Sequence, residues 1–149
     1  MTPSRECLQT QVRRFYDELW NQWRFDLADE LLAPELEFRG SLGTEIRGRE
    51  GFLEYARGVR GAFPDFHNDV RELIADEGRR AAAARLRYSG RHEGALLGVA
   101  PTGRRISYAG AAFFRFDDRA RVVRGWVLGD LADLFVQLGI RDLSAFQDR

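Results

Sequence analysis

From residue 3 to about residue 23 the apolar residues Val12, Phe15, Tyr16, Leu19, Trp20 and Trp23 return at helical spacing, while Glu6, Arg13, Arg14 and Glu18 fall off that face. The pattern predicts an amphipathic helix with Thr2 as its N-cap and Pro3 at its first position, where a missing N–H costs nothing. A second, short helix is expected over residues 25–33, stopped near Pro34 because proline disfavours helical geometry in the residue before it. Leu36-Glu37-Phe38-Arg39 alternates and ends at Gly40, which reads as a short strand before a Gly/Ser/Thr loop. From Gly48 onward Phe52, Leu53, Ala56, Val59 and Phe63 recur at three and four positions, a third helix that Pro64 ends.

Beyond Pro64 the period changes to two. Residues 66–75 read as a strand, Asp76-Glu77-Gly78 as a turn, and residues 80–88 as a second strand pairing back. Residues 103–116 and 120–129 form another pair around Asp117-Asp118, and a last helix over residues 131–138 carries Leu131, Leu134, Phe135 and Leu138 on one face before Gly139. Helices first, then four long strands, then a terminal helix predict one α+β domain over residues 1–149, with the helical set packed on one face of a curved antiparallel sheet. Such a sheet encloses a cone, and concave apolar space of that kind is the default ligand site.

Charge adds an exclusion. Lys and Arg number 23 and Asp and Glu 23, so no net field draws the chain to nucleic acid. No apolar run approaches the ~20 residues that span a bilayer, which argues against a membrane partner. The single cysteine, Cys7, makes no internal disulfide, and Met1-Thr2-Pro3-Ser4-Arg5-Glu6 has no signal-peptide character; a cytoplasmic protein is expected. Two histidines, His67 and His92, give no metal-ligand spacing with that cysteine, so neither metal nor other cofactor is expected.

The segment Tyr88-Ser89-Gly90-Arg91-His92-Glu93-Gly94-Ala95-Leu96-Leu97-Gly98-Val99-Ala100-Pro101-Thr102-Gly103-Arg104 resembles the hairpin signature G-x-H-x-G-x-L-x-G-x-x-P-T-G-R of the SnoaL-like polyketide cyclase and ester cyclase family. Phe15-Tyr16-Asp17-Glu18-Leu19-Trp20-Asn21, Gly48-Arg49-Glu50-Gly51-Phe52 with Phe63-Pro64-Asp65, and Trp126 followed by Asp130-Leu131 and Gln137-Leu138-Gly139 are similar to that family in the same order. The resemblance implies the cone of the nuclear transport factor 2-like superfamily, a homodimer through the open sheet face, and a general acid/base aspartate at the junction of last strand and terminal helix, where Asp130 stands. His92 matches a histidine of that signature, but the histidine that many members place just before the last-strand tryptophan or inside the preceding strand is absent, since those places read Arg124-Gly125-Trp126 and Ala112-Phe113.

Period-two geometry puts Trp126, Leu128 and Asp130 on one strand face, so a cavity-lining Trp126 brings Asp130 with it. A carboxylate in apolar space is a base suited to neutral pH, because burial disfavours its charged form. Asp130 also fits a helix N-cap, and the two roles are compatible. His92 either donates to a substrate carbonyl or pins its loop; His67 reads as a surface residue. Arg85 and Arg87 share a face, and an inward Arg87 would bind a carboxylate or enolate oxygen. Tyr16, Trp20, Phe38, Phe52, Tyr55, Tyr108, Phe113 and Trp126 are the candidate wall for a flat, apolar, polyketide-derived small molecule, with ordinary core as the competing role.

The expected function is therefore a cofactor-independent cyclase of secondary metabolism. Two alternatives stay open: epoxide opening of the limonene epoxide hydrolase type, with Asp130 and an inward arginine, and a non-catalytic ligand-binding or hydroxylase-partner module.

Overall fold

The computed structural model describes residues 2–141. Helix α1 (Arg5–Arg14) runs without a break into a π-helical turn, Phe15–Trp20, in which the Asn21 N–H donates to the Tyr16 carbonyl five residues back. Its cap is Ser4 rather than Thr2, because Ser4 is extended and its hydroxyl accepts from the Cys7 N–H at 3.1 Å. The second expected helix is one 3₁₀ turn, Phe25–Leu27, and a single α turn, α2 (Ala28–Leu31).

Strand β1 (Leu32–Arg39) begins earlier than the alternation suggested and contains Pro34. The proline fits because pairing between β1 and β6 is interrupted from Leu32 to Glu37, so no ladder N–H is needed there. A three-residue strand that the alternation does not reveal, β2 (Glu45–Arg47), pairs antiparallel with β1. Helix α3 (Gly48–Ala62) buries Phe52, Leu53, Ala56 and Val59. Then come β3 (His67–Asp76), β4 (Ala81–Arg91), β5 (Arg105–Phe116), β6 (Val122–Gly129) and α4 (Leu131–Leu138).

The six strands form one curved, unclosed sheet in the order β2-β1-β6-β5-β4-β3. Strands β3–β6 pair antiparallel, as expected, and β1 runs parallel to β6. Strand β3 is an outer edge, and its register slips between Val70 and Glu72, leaving Arg71 as a bulge.

Burial alternates strictly along the central strands. Leu86, Tyr88, Tyr108, Ala112, Phe114 and Val127 point inward at the helices, whereas Ala83, Arg85, Arg87, Ala111, Phe113, Trp126 and Leu128 point outward. Inside, an aromatic core centres on Phe15, whose ring meets those of Tyr16 and Phe114 edge-to-face at 4.9 and 5.4 Å and those of Phe38 and Phe52 at a tilt at 6.1 and 5.7 Å between centroids.

Two ties fix the ends of the sheet. The Glu93 and Gly94 N–H groups both donate to the Ala62 carbonyl, which docks the β4–β5 loop on the C-terminus of α3. On α4, the Gln137 amide donates to the Ser107 carbonyl and accepts from the Ser107 N–H, while Gly139 ends the helix in the left-handed region at φ 76°.

Candidate active site

All four tyrosines of the chain, Tyr16, Tyr55, Tyr88 and Tyr108, line one cavity between the sheet, the π-helical turn and α3. Trp20, Phe38, Ser41, Phe63, Phe66, Asn68 and Val127 complete most of the wall. The space that the centre of a water can occupy is about 20 Å³, little more than one water needs, within about 400 Å³ of unfilled space that includes open solvent. A bicyclic ligand would therefore have to part the wall, to which the β1–β2 loop contributes Gly40, Ser41 and Leu42.

The polar groups of the wall fall into two sets. The Tyr108 hydroxyl hydrogen-bonds Ser41 Oγ at 3.0 Å, Tyr55 bonds to Ser41 and to the backbone at Leu42, and Asn68 is clamped to Asn21, whose Oδ1 accepts from the Asn68 backbone and amide N–H groups. The hydroxyls of Tyr16 and Tyr88, both buried, have no hydrogen-bond partner among the described residues. Burial pushes the phenols of Tyr16, Tyr88 and Tyr108 well above the ordinary tyrosine range and that of Tyr55 upward, the last opposed by its bonds to Leu42 and Ser41. At neutral pH they are hydrogen-bond donors, not bases.

Of the candidate wall residues, Tyr16, Trp20, Phe38, Tyr55 and Tyr108 line this cavity. Phe52 does not line the cavity; it is core behind the wall, between Phe38 and Trp20. Phe113 and Trp126 lie on the opposite, outer face, 54% and 42% exposed, their rings 6.0 Å apart with the Arg39 guanidinium over Trp126. Arg87 points outward with them, and Arg85 reaches Glu72 on the neighbouring strand. Asp130 does share the face of Trp126, but that face is the outer one: the carboxylate is exposed and caps α4 by accepting from the Asp133 N–H at 3.2 Å. Its expected burial in apolar space does not hold.

His92 is fully buried at the base of the β4–β5 loop, outside the cavity wall. Its Nδ1 accepts from the Thr102 N–H at 3.1 Å and lies 3.0 Å from the Thr102 hydroxyl, so the loop-pinning role is the one its contacts serve. Burial lowers its pKa and keeps the ring neutral. Tyr88, Ser41 and Asn68 were missed as wall residues; for Tyr88 the signal was present, since it alternates in phase with Ala84 and Leu86. Among the described residues no cluster of three His, Cys, Asp or Glu side chains is placed to hold a metal, and no helix is long and apolar enough to cross a membrane.

The family model for SnoaL-like polyketide cyclases matches residues 10–138. The chain belongs to this family. Among solved structures, this SnoaL-like chain is similar to TsrD of Streptomyces laurentii (27% identity, 93% of this chain and 99% of that one, TM-score 0.81). It is also similar to AclR of Streptomyces galilaeus, provisionally called a hydroxylase (26%, 93% and 89%, TM-score 0.78). A third is IdmH of Streptomyces antibioticus, provisionally called a polyketide cyclase (26%, 89% and 98%, TM-score 0.75). No curated protein matches in sequence. The SnoaL-like assignment confirms the expected fold and leaves the chemistry to be argued from the site.

Proposed function

We propose that this protein closes a ring on a flat, polyketide-derived substrate without a cofactor, in the cytoplasm, using the tyrosine-walled cavity as its substrate site. The observation that carries the reading is the wall itself: aromatic faces for a planar ligand, with every polar side-chain group a neutral hydroxyl, amide or indole N–H. Asp130 is the proposed general acid/base. The assignment rests on its place at the junction of β6 and α4, where the family's acid/base aspartate stands; because its carboxylate faces outward, it must leave the α4 cap to reach substrate. Epoxide opening through an inward arginine has lost its geometry, because Arg85 and Arg87 face outward.

The test is mass-spectrometric product analysis with a panel of flat polycyclic keto-esters and no added cofactor, comparing wild type with Asp130→Asn. An isomer of unchanged mass, formed about 10²–10⁴-fold more slowly by the variant, is the expected result. Equal rates would remove Asp130 from the mechanism. A product heavier by one oxygen atom would favour the hydroxylase assignment given to AclR, and unchanged substrate a binding module.

We further propose that a second copy covers the outer face. Ile74, Ala83, Phe113 and Trp126 are register partners across four strands, and Ile74, Phe113 and Leu128 are each more than half exposed. Light scattering should give twice the chain mass for wild type and the single mass for Phe113→Arg, whose fold, remote from the core, should be kept.

A further inference from the structure

Two hydroxyls in the cavity wall, those of Tyr16 and Tyr88, have no hydrogen-bond partner among the described residues. A buried hydroxyl without a partner has lost its water and gained nothing, so each one weakens the fold. Neither ring owes its place to its hydroxyl. Tyr88 is stacked on Phe66 at 5.8 Å and packed on Tyr108 at 4.9 Å, over Gly110, where any side chain would strike the ring. Tyr16 is held edge-on by Phe15 at 4.9 Å and Phe114 at 6.0 Å, and rides on the π-helical turn, a helix form common at functional sites. The other wall tyrosines spend their hydroxyls on Ser41.

We propose that Tyr16 and Tyr88 form a two-donor seat for one carbonyl oxygen of the ligand. The inference rests on the cyclase reading above. A carbonyl oxygen has two lone pairs and can accept from both phenols. When the neighbouring C–H bond breaks, its electron pair moves onto that oxygen and the proton goes to the general base. As the new carbon–carbon bond forms, the carbonyl is restored, and the proton is returned to the alkoxide made at the attacked carbon. Donors already in place stabilise the transient charge without reorganising, and the phenols remain protonated throughout. Their burial supports this, since it holds them far from ionisation at neutral pH.

The probe is 1-indanone, with indane as the same frame lacking the oxygen. In wild type the carbonyl stretch of bound 1-indanone should move to lower wavenumber than in hexane. Tyr16→Phe and Tyr88→Phe should each return part of that shift and weaken 1-indanone binding by roughly 3–10-fold, leaving indane within about twofold. Without ligand, each phenylalanine variant should melt at the wild-type temperature or higher, by roughly 2–4 °C. An unchanged carbonyl band in the double variant, or melting several degrees below wild type in either single variant, would overturn the seat while the cyclase reading stands. Failure of wild type to bind either probe would overturn the cavity as substrate site, and the seat with it.

Discussion

Phe15→Ala is expected to cost about 3–5 kcal/mol and to lower the melting temperature by something on the order of 10 °C. Phe15 is fully buried, its ring contacts four others, and it reaches both the core and the cavity wall. Its neighbours come from the π-helical turn, β1, α3 and β5, so collapse onto the vacated space would have to move several elements at once. The void should stay open and join the small one already present. Apolar cavities of this kind take up benzene. Saturating benzene should then restore part of the lost melting temperature in the variant and leave wild type nearly unchanged. A loss under about 1 kcal/mol in chemical denaturation would mean that Phe15 is not central to the packing.

Gly94→Ala should be nearly as damaging, by about 3 kcal/mol, although it adds one methyl group far from the centre. An added Cβ there would strike the Gly61 carbonyl oxygen and stand 2.8 Å from its carbon and 3.2 Å from the Ala62 Cα. These are backbone atoms at the end of α3, which no rotamer change can move aside. Relief requires the β4–β5 loop to lift, forfeiting both bonds to the Ala62 carbonyl and exposing His92. Gly58→Ala, on the same helix with open space around it, is the control and should gain about 0.4–1 kcal/mol. Equal stability of the two variants in denaturant titration would show that the loop is not docked where the structure has it.

Most elements were legible because apolar spacing is a local property: the helix carrying Phe52, Ala56 and Val59 and the strands carrying Leu86 and Phe114 lie where their periods put them. What period two does not tell is which of a strand's two faces turns inward. On β6 the large residues Trp126 and Leu128 point out, while Gly125, Val127 and Gly129 point in. The inner positions are small because rings from elsewhere fill them: an added Cβ at Gly125 would lie 2.6 Å from Phe38, and one at Gly129 3.1 Å from Tyr108. Reading size as burial therefore inverted β6 and carried Phe113 and Asp130 with it. The wall tyrosines were partly legible as aromatics in a core pattern, but the missing partners of Tyr16 and Tyr88 belong to three-dimensional packing and leave no mark in the sequence.

The bulge at Arg71 bears on how this protein behaves in concentrated solution. A ten-residue edge strand is long enough to recruit another chain by backbone pairing, the first step toward aggregation. On β3 the bulge breaks the straight run, and His67, Asp69, Arg71, Glu72 and Asp76 are exposed along it. Libraries that remodel the cavity for new substrates should leave these charges alone, because neutralising them would expose a sticky edge whose effect would be mistaken for lost activity.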